Sequence, residues 1–291
     1  MAIQPGTSIA AVQAGLPLDP LENRILLCHA TGLTRVQLIT QGDRPLTPDE
    51  AARLDDLVAR RLRGEPIAYI VGRREFFGLD FQVGPAVLIP RPDTELIVEL
   101  ALERLPQERL PQDRLPQDRL PQNTPRLLDM GTGSGAIAVA VAHTRPDTAV
   151  TALDVSPDAL AVAQANAAAN GARVRFLHSS WFDALAAGEM FDVIASNPPY
   201  IAAGDDHLAQ GDLRFEPVGA LTDHADGLSA LRTIIAGSPR HLVPGGWLLL
   251  EHGYDQAEAV RALLADAGYT EVQSWCDLAG IERVSGGRFA H

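Results

Sequence analysis

The apolar run Phe191-Asp192-Val193-Ile194-Ala195-Ser196 ends at Asn197-Pro198-Pro199-Tyr200. The run has the length and composition of a buried strand. Two consecutive prolines supply no N–H to a ladder, so the chain must leave the sheet at the strand's carboxyl end. Open α/β sheets place their ligands at that edge. The fixed proline φ angles make the loop stiff. It therefore offers rigid acceptors, the Asn197 side-chain oxygen and the Pro198 main-chain oxygen, with the Tyr200 ring beside them. A neutral planar –NH2 group suits such an array, because each of its two hydrogens needs an acceptor.

The sequence around this loop alternates strand and helix. Leu127 to Asp129 reads as a strand and Ala136 to His143 as a helix. Ala149 to Val155 is the next strand. Ser156-Pro157 caps a helix that runs to Asn170 and stops at Gly171. Val174 to Leu177, Phe191 to Ser196 and Trp247 to Glu251 are further strands, the last launched by a Pro244-Gly245-Gly246 turn. Glu271 to Trp275 and Ile281 to Val284 form a terminal antiparallel pair. The alternation predicts an α/β, doubly wound, Rossmann-like sheet with right-handed crossovers.

Residues 1–73 have a different character. Leu18, Leu21, Ile25 and Cys28 follow helical spacing. Thr47-Pro48-Asp49-Glu50 is a capping box with proline at the first helical position. It opens a stretch with Leu54, Leu57, Val58 and Leu62 on one face. A small helical bundle is expected here. Residues 74–90 follow as a linking hairpin, with Leu79, Phe81 and Val83 alternating after a turn at Gly78. Residues 91–291 form the α/β domain, opened by a helix carrying Leu96, Ile97, Leu100 and Leu105. Within it, residues 105–124 repeat Leu-Pro-Gln-(Glu/Asp)-Arg three times, with a degenerate fourth copy from Leu120. A proline every five residues forbids a continuous helix, so a flexible or extended linker is expected.

Composition limits the partners. The chain has a formal net charge of -13, and all 24 of its Lys+Arg residues are arginine. An acidic balance opposes broad binding to a phosphate backbone. Cys28 and Cys276 make neither a disulfide framework nor a zinc spacing. No basic, apolar leader and no ~18-residue apolar span is visible. A soluble cytoplasmic protein is expected, with no membrane attachment and no metal.

Asp129-Met130-Gly131-Thr132-Gly133-Ser134-Gly135 lies between a strand and a helix, where glycines let a ligand approach the backbone. Asp154 ends the next strand, where an acid can accept from ribose hydroxyls. The loop alone also satisfies a relaxed dinucleotide fingerprint. Two features favour S-adenosylmethionine. Asp129 would face a pyrophosphate unfavourably but suits the amino group of a methionine moiety, directly or through water. The fourth strand also ends in the amide-ready Asn-Pro-Pro-Tyr loop. Trp181 follows the third strand, either as a wall for an adenine ring or as core packing.

Several segments together carry a family resemblance. They are Gly64-Glu65-Pro66-Ile67-Ala68-Tyr69, Arg74-Glu75-Phe76-Phe77-Gly78, Leu88-Ile89-Pro90-Arg91-Pro92-Asp93-Thr94-Glu95, the glycine loop, Ser196 to Ile201, Phe215-Glu216-Pro217 and Leu250-Glu251-His252-Gly253. The chain resembles the PrmC/HemK family, the protein-(glutamine-N5) methyltransferases of class 1 peptide chain release factors, over nearly its whole length. The resemblance implies a class I S-adenosylmethionine-dependent methyltransferase domain behind a helical domain that recognises the release factor. It implies cofactor contacts at Gly131, Thr132, Gly133, Ser134, Gly135, Asp154, Trp181 and Asn197. It implies a substrate loop of Asn197, Pro198, Pro199 and Tyr200, which receives the glutamine of a Gly-Gly-Gln motif. The repeat falls outside every matched segment.

The chemistry expected of these residues is positioning. A glutamine amide nitrogen is a poor nucleophile. Asn197 and Pro198 would accept its two hydrogens and aim its lone pair at the sulfonium methyl, with Tyr200 packed against the amide plane. These acceptors bind more strongly as positive charge grows on nitrogen. An exocyclic adenine amine presents the same two hydrogens, so a nucleic-acid adenine-N6 methyltransferase is the competing enzyme reading. A non-catalytic protein that retains the cofactor fold is the third. Arg91, Glu95 and Glu216 fit either a substrate entrance or structural pairing, and His252 fits a structural place.

Overall fold

A computed structural model describes residues 3–106 and 124–290. The five-residue repeat falls almost entirely on residues 107–123, outside the described residues. The chain divides into two compact units, Met1–Arg73 and Arg74–His291.

The first unit is helical: α1 (Ile9–Gly15), α2 (Pro20–Thr31), α3 (Arg35–Thr40), α4 (Pro48–Leu62) and α5 (Ile67–Val71). The capping box that opens α4 forms as expected. The Thr47 hydroxyl accepts from the Glu50 N–H, and the Glu50 carboxylate accepts from the Thr47 N–H. Glu50 is also held by Arg44 at 2.9 Å. The apolar stripes differ in detail from the sequence reading. In α2 the buried face is Asn23, Leu26, Leu27 and Ala30, while Leu21 is exposed. Asn23 turns inward because its amide donates to the Leu16 and Leu18 carbonyls just before the helix. That contact fixes the helix rotation. In α4, Leu54, Leu57 and Val58 are buried, but Leu62 closes the last turn and is exposed.

The second unit opens with the hairpin β1 (Arg73–Phe76) and β2 (Leu79–Gln82), turned at Phe77-Gly78. Phe77 has a φ of 52°, and its N–H donates to Glu95. Glu95 therefore has a structural task, holding a strained turn. Helix α6 (Glu95–Arg104) leads to a seven-stranded sheet: β3 (Arg126–Met130), β4 (Ala149–Asp154), β5 (Val174–His178), β6 (Phe191–Ser196), β7 (Leu242–Glu251), β8 (Thr270–Cys276) and β9 (Glu282–Arg288). The order is β5-β4-β3-β6-β7-β9-β8. Strands β3 to β7 are mutually parallel, and β9 runs antiparallel between β7 and β8. The strand order reverses between β3 and β6, which makes a ligand crevice at their carboxyl ends.

Helices α7 (Ala136–Thr144), α8 (Pro157–Ala169), α9 (Val218–Leu221), α10 (Ser229–Gly237) and α11 (Ala257–Asp266) complete the unit. Residues Ala136 to Ala142 of α7 are all buried, so this helix lies sunk in the core. Pro244-Gly245-Gly246 does not launch a strand. It lies inside β7 as a bulge, because Phe191 pairs with Leu242 while Val193 pairs with Trp247. Gly245 and Gly246 still bond Phe289 at 2.7 and 2.8 Å, which keeps the strand continuous along its other edge. Among the described residues, no helix is long and apolar enough to cross a membrane.

Candidate active site

Register brings the functional strand ends to one edge. Met130 pairs with Leu153 and with Ser196, and Ser196 pairs with Leu250. The glycine loop, Asp154, Asn197 and Glu251 therefore all emerge along the same carboxyl edge. The Ser196 hydroxyl ties two of these ends directly, donating to the Met130 carbonyl at 2.6 Å.

A cavity of about 360 Å³ opens there. Its floor is Gly131 to Ser134, and one wall is Asp154 to Ser156 with Ser179 to Trp181. Asn197 and Pro199 face these, and the far side is closed by segments 86–94 and 217–220. Gly131 and Gly133 have φ of 70° and 56°, and a Cβ built on either would meet nothing within 4 Å. The loop surface therefore stands open to a ligand.

Asp154 holds the loop in place. Its Oδ2 accepts from the Gly133 N–H at 2.8 Å and its Oδ1 from the Ser156 N–H at 2.9 Å. Each oxygen retains capacity for a further donor, so a pair of vicinal hydroxyls fits. Trp181 lines the cavity with a φ of 47° and also packs on the core. Its carbonyl accepts from the Ser179 hydroxyl at 2.8 Å, which secures the backbone conformation.

Asp129 is placed differently. It is wholly buried beneath the loop and is absent from the cavity lining. Its Oδ2 accepts from the Thr132 hydroxyl at 2.6 Å and the Ala138 N–H at 3.1 Å, so it braces the loop against the start of α7. Its Oδ1 has no protein partner. Burial pushes this carboxyl up to about 7, against the pull of its two donors. An unfolded aspartate titrates near ~3.9. The folded protein thus binds the extra proton, and the stability so conferred is present at low pH and lost as pH rises through about 7. Without ligand, the wild type is expected to lose about 2–4 kcal/mol more than Asp129→Asn between pH 5 and pH 8. Urea unfolding at both pH values measures this, and parallel losses in the two proteins would refute it.

The Asn-Pro-Pro-Tyr loop is pinned at both ends. The Asn197 Nδ2 donates to the Thr94 hydroxyl at 3.1 Å, which leaves Oδ1 as the side chain's acceptor. The Tyr200 carbonyl accepts from Gln256 at 3.0 Å. The Tyr200 hydroxyl donates to Glu251 Oε1 across 3.5 Å. Pro198 is buried, and neither it nor Tyr200 lines the cavity. Burial and the Glu251 carboxyl raise the Tyr200 phenol, which stays protonated.

Arg91 and Glu216 form an ion pair, with Arg91 Nη2 2.8 and 2.7 Å from the two Glu216 oxygens. The Glu216 side chain is fully buried, and Arg91 lines the cavity. The pair clamps the segment before α6 to the loop before α9. His252 is buried and structural. Its Nδ1–H donates to the Gly253 carbonyl, and its Nε2 accepts from the Ser285 hydroxyl.

Known proteins share both the sequence and the fold. The PrmC N-terminal domain profile matches residues 11–72, and the methyltransferase small domain profile matches residues 113–212. A release factor glutamine methyltransferase of Burkholderia pseudomallei is 54% identical over 290 residues, covering 98% of this chain and 96% of its own. The chain belongs to the release factor glutamine methyltransferase family. The enzyme of that name from Bordetella pertussis is 55% identical, covering 94% of this chain and 95% of its own. A solved methyltransferase from Pyrococcus furiosus, 20% identical, shares the fold with a TM-score of 0.54 over 81% of this chain and 100% of its own.

For this family member, reading the sequence left three supporting residues without a role. Thr94, Glu251 and Gln256 each hold the acceptor loop. The first two lie in segments that carried the resemblance. A hydroxyl behind two prolines, and an acid ending an apolar strand, were the available signals.

Proposed function

We propose that the chain transfers a methyl group from S-adenosylmethionine to the side-chain amide nitrogen of the glutamine in the Gly-Gly-Gln motif of a class 1 release factor. The observation that carries this reading is Asn197, which lines the glycine-floored cavity with its Nδ2 held by Thr94, so that Oδ1 is left as the side chain's acceptor. The close relatives bear the matching name.

The donor set fits the cofactor. Asp154 would take the ribose hydroxyls, Trp181 the adenine side and Gly131 to Gly135 the methionine end. Asp129 braces the loop from beneath that end. When bound, the sulfonium supplies an electrophilic methyl and a neutral thioether leaving group. The protein's own task is orientation. Asn197 Oδ1 and the Pro198 carbonyl accept the two amide hydrogens, which turns the nitrogen lone pair toward the methyl. The acceptors strengthen their hold as charge grows on nitrogen. Positioning of this kind contributes roughly 7–11 kcal/mol in well-oriented reactions. Tyr200, held through its hydroxyl, fixes the far end of the loop. The helical unit would recognise the release factor.

The deciding experiment incubates protein, cofactor and a release factor, then maps the product by mass spectrometry. One added methyl on the Gly-Gly-Gln glutamine is expected. Methylation of DNA adenine with the release factor untouched would overturn the reading. Asp154→Ala is expected to weaken cofactor binding at least roughly 10-fold, a loss consistent with charge-assisted hydrogen bonds. Calorimetry at unchanged melting temperature measures it, and unchanged affinity would remove the ribose role from Asp154.

A further inference from the structure

Pro198 and Pro199 carry no N–H, so the middle of the acceptor loop has no backbone donor with which to anchor itself. Its position is set from its ends. At the near end, Asn197 Nδ2 donates to the Thr94 hydroxyl at 3.1 Å. At the far end, the Tyr200 hydroxyl reaches Glu251 only across 3.5 Å, long for a bond between oxygens. The Tyr200 carbonyl is held more closely, by the Gln256 side-chain amide at 3.0 Å. One residue further on, the Ile201 N–H donates to the Leu221 carbonyl at 2.9 Å.

Every partner of the Gln256 amide has a fixed polarity. Its Oε1 accepts from the Gly253 N–H at 2.8 Å. Its Nε2 donates to the Tyr200 carbonyl at 3.0 Å and to the Gly227 carbonyl at 3.3 Å. A backbone N–H only donates and a carbonyl only accepts, so a reversed amide would lose all three bonds. The two Nε2 hydrogens match the two carbonyls. The amide thus joins the acceptor loop to the turn after β7 and to the segment before α10. Both supports are themselves held. The Gly253 carbonyl accepts from His252 Nδ1 at 2.8 Å, and the Gly227 N–H donates to Asp223 at 3.0 Å.

We propose that Gln256 is a positioning residue for methyl transfer. By donating to the Tyr200 carbonyl it fixes the far end of the acceptor loop, and so sets where the Pro198 carbonyl stands relative to Asn197. Gln256 lies outside the cavity lining, so it acts through the loop and not on the cofactor. The kinetic consequence rests on the glutamine-methylating reading, whereas the tether itself is independent of any substrate.

Two substitutions of nearly equal size separate this role from a local one. Gln256→Glu keeps an acceptor for the Gly253 N–H, and its charge suits the N-cap of α11. At about pH 8 its carboxyl is ionised and has no hydrogen for the two carbonyls. Gln256→Met loses all three bonds. In single-turnover methyl transfer to a release factor at saturating cofactor, both variants are expected to lose roughly 100-fold, the scale of a misplacement of about 1 Å at a reaction centre. Cofactor affinity should stay within a few-fold of wild type. A residue that served only the turn after β7 would show the loss in Gln256→Met alone. A folded Gln256→Glu protein at the wild-type rate would therefore overturn the proposal.

The second readout is the 13C resonance of the Tyr200 carbonyl in full-length protein labelled at its tyrosine carbonyls. Loss of the donor is expected to move it in both variants. A resonance that stays in place in both would refute the tether. A moved resonance, in a protein whose wild type leaves the glutamine unmodified, would instead refute the proposed reaction and leave the tether standing.

Discussion

Asn197→Ala is expected to lower methyl transfer to the glutamine by on the order of 10²–10³-fold, the effect of deleting one preorganised hydrogen-bonding group from a reaction centre. The alanine removes the Oδ1 acceptor and also frees the Thr94 hydroxyl that Nδ2 now occupies. Labelled-methyl transfer under saturating cofactor measures the loss. A rate within tenfold of wild type would sink the assignment. Asn197→Asp is the sharper companion. Its second oxygen would stand where Nδ2 now meets the Thr94 hydroxyl. A negative charge would then sit beside a bound sulfonium. That variant should bind cofactor and turn over slowly.

The second large effect is expected on stability, from a glycine outside the cavity. Gly227 has a φ of 80°, and a Cβ there would lie 2.5 Å from the Tyr200 carbonyl oxygen and 2.9 Å from the Gln256 amide nitrogen. Those are the two atoms that anchor the end of the acceptor loop. Gly227→Ala should cost about 2–5 kcal/mol, combining left-handed backbone strain with overpacking. The melting point of the variant should fall by roughly 5–15 °C. Gly204→Ala is the matched control. Its φ is 84°, but its Cβ would meet nothing within 4 Å. It carries only the conformational cost, roughly 1 kcal/mol. Equal losses in the two variants would show that the contact with Tyr200 has no weight.

Strands β3, β4 and β6 were legible because each is a short, largely apolar run bounded by Gly, Pro or Asp. Asp129, Asp154 and Asn197 could be placed at strand ends for the same reason. Their division of labour could not. Whether an aspartate at a strand end faces a cavity or braces a loop depends on side-chain direction, and Asp129 turns beneath the loop while Asp154 stays beside the cavity. Thr94 and Asn197 were unreadable as partners because they are 103 positions apart and meet only through tertiary packing. The rotation of α2 was misread because a buried asparagine, not a leucine, sets it. Hydrophobic spacing carries no signal for that. The bulge at Pro244-Gly245-Gly246 was misread as a turn because glycine and proline mark both features, and only the pairing on the two edges of β7 tells them apart.

The place of β9 in the sheet has a consequence for how the chain is made. β8 precedes β9 in the sequence, yet β9 lies between it and β7. During synthesis, residues 270–276 leave the ribosome before their one neighbour in the described sheet exists. Until residues 282–288 follow, β7 has a bare edge and β8 has no strand to pair with. Val284 of the late strand pairs with Glu251 itself, and the Arg283 carbonyl receives the His252 N–H. The support beneath the acceptor loop is thus completed by a strand that follows the loop's other partners in the sequence. A nascent chain can thus assemble its glycine loop before the strand that supports the acceptor loop has paired.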